Sequence, residues 1–188
     1  MPIQEHNSWN HDNVAYRGVM EEFIALQQRV EVKARTLLLS EGEVADTLFI
    51  VEKGALRLFF NDDGRDITFQ FFMEGDMVAS FDSLYNRLPS LFSLESIEPS
   101  SLIAVSREEL FRFIHSNDQA RDMFERILAE RFHAYQQLFL SRIRNSPAMR
   151  YEELAATRPD IIRRIPQHYI ASYLGITPVS LSRIRARH

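Results

Sequence analysis

The residues best suited to chemistry lie at the C-terminal end of the chain, where basic and hydroxyl side chains are close together. Residues 139–188 carry nine basic side chains, all arginines, against three acidic ones, although the 188-residue chain has a net charge of −4. Near the end, Arg183 follows Ser180 and Ser182. Arginine and serine side chains both bond to phosphate oxygens and to base edges. A basic segment attached to an acidic body therefore indicates a polyanionic partner, the alternative being a merely solvated basic surface.

Two short helices joined by a turn are expected to position these side chains. Pro166 can open the first helix, and Gly175 can end it in the left-handed conformation that glycine tolerates. Thr177 is placed to cap the second helix, with Pro178 at the first position, where no amide donor is needed. The small core between the helices is predicted to contain Ile170, Ala171, Leu174, Ile176, Leu181 and Ile184. This pattern predicts a helix-turn-helix, whose second helix enters the major groove of double-stranded DNA; an ordinary helical hairpin is the alternative.

The motif predicts which side chains would contact DNA. Ser180, Ser182 and Arg183 are the candidates for reading bases, while Arg185 and Arg187 are placed to bind phosphate. The full set of predicted DNA contacts is Thr177, Val179, Ser180, Ser182, Arg183, Arg185 and Arg187.

The residues present exclude several other kinds of site. The chain has no cysteine, so disulfides, thiolate zinc sites and cysteine-ligated iron–sulfur clusters are excluded. None of the six histidines lies in the strand-rich segment 30–106, which leaves the metal site of a cupin-type enzyme without ligands. Asp62, Asp63 and Asp66 flank Gly64 without the spacing or terminal glutamate of a calcium loop. There is also no phosphate loop or nucleophile elbow. We therefore expect that the protein is not an enzyme and that it has neither a metal site nor a cofactor.

The middle of the chain has the pattern of short strands. Its β-branched and aromatic runs are separated by turns 12, 10 and 11 residues apart, which contain Gly42, Gly54, Gly64 and Gly75. Short strands at such intervals are typical of an antiparallel barrel or jelly roll. A helix is predicted before them, from Asn13 to about Arg29, and a short helix or loop between Val78 and Asn86.

A long amphipathic helix follows the strands. Ser106 and Glu109 have the spacing of a capping box, and apolar residues then recur at helical steps from Asn117 to about Asn145. The apolar stripe can be buried within its own domain or against a second copy of the chain. Its length and aromatic content favour a homodimer. The predicted dimer contacts are Leu128, Phe132, Tyr135 and Phe139.

The remaining signals concern boundaries and location. Asn145-Ser146-Pro147 ends the long helix, and a further helix is predicted from about Met149 to Ala156, with a break at Pro159. The N-terminal residues lack the apolar run of a signal peptide, and no stretch approaches the roughly 20 apolar residues of a membrane span. We therefore expect a cytoplasmic protein without a membrane partner.

In this order and at this spacing, the motifs resemble the Crp–Fnr superfamily of bacterial transcription regulators. The matching pieces are Glu41-Gly42-Glu43 with Leu48–Val51, Lys53-Gly54 with Ala55–Leu58, Gly64, Gly75-Asp76 and the terminal two-helix motif. The resemblance implies an α+β fold, in which an antiparallel β-roll or jelly roll of the cyclic-nucleotide-binding type has flanking helices. A long dimerisation helix and a small winged helix-turn-helix domain would follow. The corresponding units are residues 1–116, 117–145 and 146–188.

The resemblance also implies partners. Double-stranded DNA and a second copy of the chain are expected, and RNA polymerase and an unidentified small-molecule effector are further candidates. The start of the second helix departs from the family, because Pro178-Val179 stands where well-known members carry an Arg-Glu pair. No wing hairpin follows that helix in these residues, so any wing must come from elsewhere. A β-roll sensing or interaction module with a non-functional DNA-binding end is the alternative function.

The positions that bind cyclic nucleotides in this family are altered. A Gly-Glu pair and an Arg-Ser pair are expected there, but they fall on about Ala79-Ser80 and Ser90-Leu91, with Arg87 as the nearby basic residue. A buried phosphate without a cation is costly, so we predict that cyclic AMP is not the effector. The predicted effector pocket comprises Phe71, Val78, Ala79, Ser80, Phe81, Arg87, Ser90 and Leu91. The side chains that either fill this pocket or belong to the core are Phe69, Phe71, Phe81, Leu84 and Phe92.

Overall fold

A computed structural model describes residues 14–186 of the chain. The elements in chain order are α1 (Val14–Ala25), β1 (Gln28–Val32), β2 (Leu37–Leu39), β3 (Thr47–Lys53), β4 (Leu56–Asp62), β5 (Arg65–Phe72), β6 (Met77–Val78), α2 (Phe81–Asn86), β7 (Ser93–Ser96), β8 (Ser100–Ser106), α3 (Arg107–Ser116), α4 (Asp118–Arg144), α5 (Pro147–Thr157), α6 (Pro159–Arg164), α7 (Gln167–Leu174) and α8 (Pro178–Arg185).

The strands form two four-stranded antiparallel sheets. The first has the order β1-β8-β3-β6, and the second has the order β2-β7-β4-β5. Apolar side chains from both sheets form one buried cluster, which consists of Val51, Leu56, Leu58, Phe72, Val78, Leu94 and Leu102. The predicted antiparallel jelly-roll-like core with flanking helices is thereby confirmed.

Gly54 lies where β3 approaches the start of β8 too closely for any side chain. Its φ is +104°, and a Cβ atom built on it would lie 2.1 Å from Ser100 Oγ and 2.8 Å from Ser100 Cα. Ser100 Cα is a backbone atom and cannot move away as the end of a flexible side chain could. The turn after β3 therefore requires glycine for its conformation and for its space.

The helices before and after the sheets pack on one another. The Ser106 hydroxyl accepts a hydrogen bond from Glu109 N, and the Glu109 side chain completes the predicted capping box of α3. Asn117 caps α4, which ends at Arg144 with Asn145 as its C-cap, so the predicted long helix is confirmed. The N-terminal helix was predicted too long: α1 ends at Ala25, because residues from Gln28 onward pair with β8.

Four helices complete the chain and share a core with the second sheet. The predicted break at Pro159 is confirmed: α5 ends at Thr157, and Pro159 occupies the first position of a new helix, α6, where its missing amide has no cost. Buried residues of α5 to α8 pack against Ala55, Phe71 and Met73 of the β-roll. In the part of the chain that the structure describes, no helix has the length and apolar character needed to cross a membrane.

Candidate functional site

The helix pair α7 and α8 has the local geometry that the sequence predicts. Gly175 ends α7 with φ +68° and ψ 35°, in the left-handed region. Thr177 Oγ1 accepts a hydrogen bond from Ser180 N (3.1 Å), and Pro178 occupies the first turn of α8. The helices meet through side chains that are almost completely buried, namely Ile170, Ala171, Leu174 and Leu181. Ile176 and Ile184 are partly buried against the same cluster.

The outer face of α8 carries the residues predicted to contact DNA. Val179 is 61% exposed, and Ser182, Arg183 and Arg185 are also exposed. With about 100° between successive residues, Val179, Ser182 and Arg183 lie on one face opposite Leu181, while Arg185 lies at its margin. These three side chains form what we call the outer face of α8.

Thr177 and Ser180, two of the predicted DNA contacts, stand apart from that face. Ser180 is half-buried, and its hydroxyl lies 3.0 Å from Thr177 Oγ1, so both hydroxyls belong to the cap of α8. Arg187 lies outside the described residues.

Four of the nine C-terminal arginines hold the chain together. Arg142 Nη2 donates to Tyr173 O (2.5 Å), and Arg150 Nη2 donates to Leu174 O (2.7 Å), which satisfies carbonyls at the end of α7. Arg158 pairs with Asp160 (3.0 Å), and Arg164 pairs with the β-roll. These four arginines have partners within the chain, so the charge of this segment is not carried by free basic side chains alone.

Arg164 connects α6 to two carboxylates of the β-roll. Its guanidinium bonds to Glu74 (2.7 Å) and also contacts Glu98. The hydrogen bond from Arg164 lowers the pKa of Glu74 to about 2, and the two carboxylates raise the pKa of Arg164. The pair stays charged at neutral pH and attaches the C-terminal helices to the roll.

The first helix of the pair, α7, lies on the outer side of β5. Ser172 Oγ donates to Asp66 O (2.9 Å) and accepts from Thr68 N (2.9 Å). The Arg57 guanidinium carbon lies 4.1 Å from the centre of the Tyr169 ring. The contact of α7 with the sheet was not predicted, because no local signal in the sequence indicates it.

The two serines at the expected cyclic-nucleotide positions are buried and bonded to each other. Ser90 Oγ lies 2.7 Å from Ser80 Oγ and 2.6 Å from Phe92 O. Arg87 is directed elsewhere, because its Nη1 pairs with Asp46 (2.6 Å) and donates to Ala45 O. The polar atoms at these positions are satisfied within the chain, and the arginine does not point toward them.

Aromatic rings lie beside these serines. Phe92 stacks on Phe69 with ring centres 4.7 Å apart, and Phe69 lies 5.7 Å from Tyr135 of α4. The rings occupy the space between the second sheet and the long helix. Two of the predicted pocket-filling side chains, Phe69 and Phe92, thus contact each other.

The structure disperses the other residues predicted for the effector pocket. Ala79 and Phe81 line an apolar cavity between the first sheet and α4. Val78 belongs to the core of the roll, Phe71 contacts Tyr173 under the C-terminal helices, and Leu91 is exposed. The eight predicted residues therefore do not form a single pocket.

The long helix α4 exposes much of the stripe predicted to form a dimer. Phe132 and Phe139 are each about two-thirds exposed, at 65% and 66%, and Tyr135 is 38% exposed. Leu128 is half-buried and lines the same apolar cavity as Ala79. In this single chain the stripe is only partly covered.

The chain resembles proteins of known family and structure. Residues 29–117 match the cyclic nucleotide-binding domain, whereas no curated protein matches the chain. Its fold is similar to that of FixK2 from Bradyrhizobium japonicum, with 22% identity, coverage of 86% of this chain and 84% of that chain, and a TM-score of 0.71. The CLP regulator of Xanthomonas campestris, described as responsive to c-di-GMP, gives 18% identity, 91% and 90% coverage and a TM-score of 0.72.

The catabolite activator protein of Thermus thermophilus is similar over an even larger part of the chain. It gives 19% identity, coverage of 97% of this chain and 86% of that chain, and a TM-score of 0.59. At these sequence identities, the similarity establishes a shared fold and nothing beyond it. The overall fold of this chain is thus similar to that of these three solved proteins over most of its length.

Proposed function

We propose that this protein is a sequence-specific DNA-binding transcription regulator that acts as a homodimer and does not respond to cyclic AMP. The observation that carries the proposal is the outer face of α8, where Val179, Ser182 and Arg183 are exposed on a helix that is capped and buried on its other side. The similarity to solved regulators supports the same reading at the level of fold.

Each side chain of this face has a distinct role in the proposal. Arg183 reads a guanine through a bidentate pair, Ser182 bonds to a neighbouring base, and Val179 makes apolar contact with a thymine methyl group. Arg185, at the margin of the face, binds phosphate. Ser180 is assigned to the cap of α8 rather than to base reading, because its hydroxyl already faces Thr177.

A dimer through α4 is the second part of the proposal. The rings of Phe132 and Phe139 are mostly exposed in the single chain, and a second α4 related by a two-fold axis would cover them. The same axis would place the two copies of α8 about 34 Å apart, one turn of DNA, so the target would be a palindrome.

Insensitivity to cyclic AMP is the third part. A cyclic phosphate at the position of Ser80 and Ser90 would have to break their mutual hydrogen bond and would meet no cation, because Arg87 pairs with Asp46. Desolvating an anion without a partner costs several kcal/mol, on the order of the binding energy itself. Calorimetry with millimolar cyclic AMP should therefore show no saturable heat.

The alternative is a β-roll sensing or interaction module whose C-terminal helices only complete the fold. The packing roles of Arg142, Arg150 and Arg164 favour this alternative, because they show that basic residues in this segment need not contact DNA. DNA binding at low salt separates the two functions.

The experiment measures the affinity for a palindrome selected from genomic fragments and for random duplex, by fluorescence anisotropy at two salt concentrations. Arg183→Ala should weaken binding to the selected site by about 1–3 kcal/mol and binding to random duplex far less. Arg163→Ala, which removes an exposed arginine from α6, is the matched control and should leave specificity unchanged. Equal losses on both duplexes would assign Arg183 to phosphate, and no binding to any duplex at low salt would favour the alternative function.

A further inference from the structure

An apolar cavity of about 310 Å³ lies between the first sheet and the helices α1, α3 and α4. Ile50 and Phe72 line it from the sheets, Phe113 from α3, and Phe124 and Leu128 from α4. A cavity of this size, with mostly apolar and aromatic walls and few polar groups, is typical of a small-molecule site. It is separate from the buried pair Ser80 and Ser90, neither of which lines it.

One charged side chain reaches this cavity. Among the described residues that line it, Arg131 of α4 is the only arginine, lysine, histidine, aspartate or glutamate. Its Nη2 donates to Met77 O (2.6 Å), and its guanidinium carbon lies 5.5 Å from the centre of the Phe72 ring. A guanidinium carries five N–H donors, so these contacts leave donors for a bound anion.

The neighbouring carboxylate does not cancel this charge. Asp76 lies close enough to Arg131 for the arginine to act on its pKa, but burial is the larger effect and raises the pKa of Asp76. The Asp76 carboxylate also accepts a hydrogen bond from Met73 N (2.8 Å) and faces Arg158 at 3.8 Å. The Asp76 carboxylate is therefore held by Met73 N and Arg158. Arg131 is the cation that faces the apolar space.

We infer that this cavity binds a small, mainly apolar molecule with one carboxylate group, whose alkyl or aryl part fills the space between Phe72, Phe124 and Leu128 and whose carboxylate pairs with Arg131. A nucleotide fits this lining poorly, because its phosphates, ribose and base need many polar partners. A carboxylate with an apolar tail matches a single guanidinium in apolar walls.

Such a ligand would act on the proposed dimer helix. Phe132 and Tyr135 line the cavity and are also on the exposed stripe of α4, so occupation of the cavity changes the packing of the surface that a second copy would cover. The role as an effector rests on the proposed function, whereas binding in the cavity does not require DNA.

The test uses octanoate and 1-octanol, which share a chain length and differ in the charged end. Calorimetry on the purified full chain without DNA should show octanoate binding at one site per chain, about tenfold or more tighter than 1-octanol, as expected for a charge-assisted hydrogen bond. Arg131→Met should reduce the octanoate affinity to that of 1-octanol and leave 1-octanol unchanged. Arg121→Met, which removes an exposed arginine from the same helix, should change neither.

A second pair of variants tests the location. Ala79→Phe should fill the cavity and abolish binding of both compounds, while Ala156→Phe on the exposed side of α5 should have no effect. Equal affinities of wild-type protein for octanoate and 1-octanol, or octanoate binding that survives Ala79→Phe, would overturn the inference. If Arg131→Met does not fold, the wild-type affinity ratio and Ala79→Phe still decide it.

The effector role is tested separately by repeating the DNA titration with saturating octanoate. A change in affinity for the selected palindrome supports the role, and an unchanged affinity overturns it. If no duplex binds with or without octanoate, the proposed DNA-binding function fails while the calorimetric result on the cavity stands.

Discussion

Replacing Arg57 should destabilise the protein more than replacing any exposed arginine. Arg57 is only 3% exposed, and its Nη2 pairs with Glu95 (2.7 Å) and Asp66 (3.1 Å). Its guanidinium also lies over the rings of Phe59 (3.9 Å) and Tyr169 (4.1 Å). Arg57→Met keeps the apolar stem of the side chain and removes the charge.

The magnitude follows from what the substitution leaves behind. Glu95 is mostly buried and would lose its cation, which costs about 3–5 kcal/mol for a broken buried pair. Asp66 is nearly half-exposed, so its share is below about 1 kcal/mol. The two ring contacts contribute roughly 0.5–1 kcal/mol each. Together these give a loss of at least about 4 kcal/mol in the free energy of unfolding.

Urea unfolding at neutral pH measures this loss. With a slope of about 2 kcal/mol per molar, the midpoint should fall by roughly 2 M. Arg29→Met is the matched control, because Arg29 pairs with Glu52 at the surface and should cost less than about 1 kcal/mol. The double variant Arg57→Met/Glu95→Met should recover much of the loss, because no unpaired charge remains buried. If Arg57→Met is no worse than Arg29→Met, or if the double variant is worse than the single one, the reasoning is refuted.

Three further predictions concern the turn, the dimer and the acid response. Gly54→Ala should lower the free energy of unfolding by several kcal/mol in urea titrations, because the new Cβ meets backbone at a positive φ; a loss below about 1 kcal/mol would mean that the turn adapts. Tyr135→Asp/Phe139→Asp should sediment as a monomer and lose specific DNA binding while the β-roll stays folded; wild-type protein that is monomeric at tens of micromolar would contradict the dimer. The pairing with Arg164 lowers the pKa of Glu74 to about 2, so the stability that this pair contributes is complete above pH about 4.5 and is lost as the pH falls toward 2. Glu74→Gln should therefore flatten the dependence of the free energy of unfolding on pH over that interval. An unchanged slope would contradict the prediction.

Local signals in the sequence predicted the features that depend on neighbouring residues. Gly175, Thr177 and the pair of Ser106 with Glu109 form caps whose partners lie within a few residues, so their spacing alone indicates them. The strands were predicted for the same reason, because alternating apolar residues and turn glycines repeat at regular intervals.

The features that escaped prediction depend on partners far along the chain. Arg164 reaches Glu74 across 90 residues, and Ser172 reaches Asp66 across 106, so no spacing rule relates them. The cavity is formed by residues from both sheets and four helices. The residues near Ser80 and Ser90 were singled out by resemblance to a nucleotide site, and that resemblance gives no information on where empty space lies in this chain.

The hydrogen bonds that two arginines make to the end of α7 affect which spacings between DNA half-sites the proposed dimer can bind. Arg142 attaches the last carbonyls of α7 to the end of α4, Arg150 attaches them to α5, and Ser172 attaches the same helix to the sheet. In the proposed dimer, the reading helices and the helices that join the two copies would then move as one rigid body. One base pair inserted at the centre of the palindrome shifts a half-site by about 3.4 Å and rotates it by roughly 35°. A rigid dimer cannot follow that screw motion, so its targets in a genome would be restricted to a single half-site spacing.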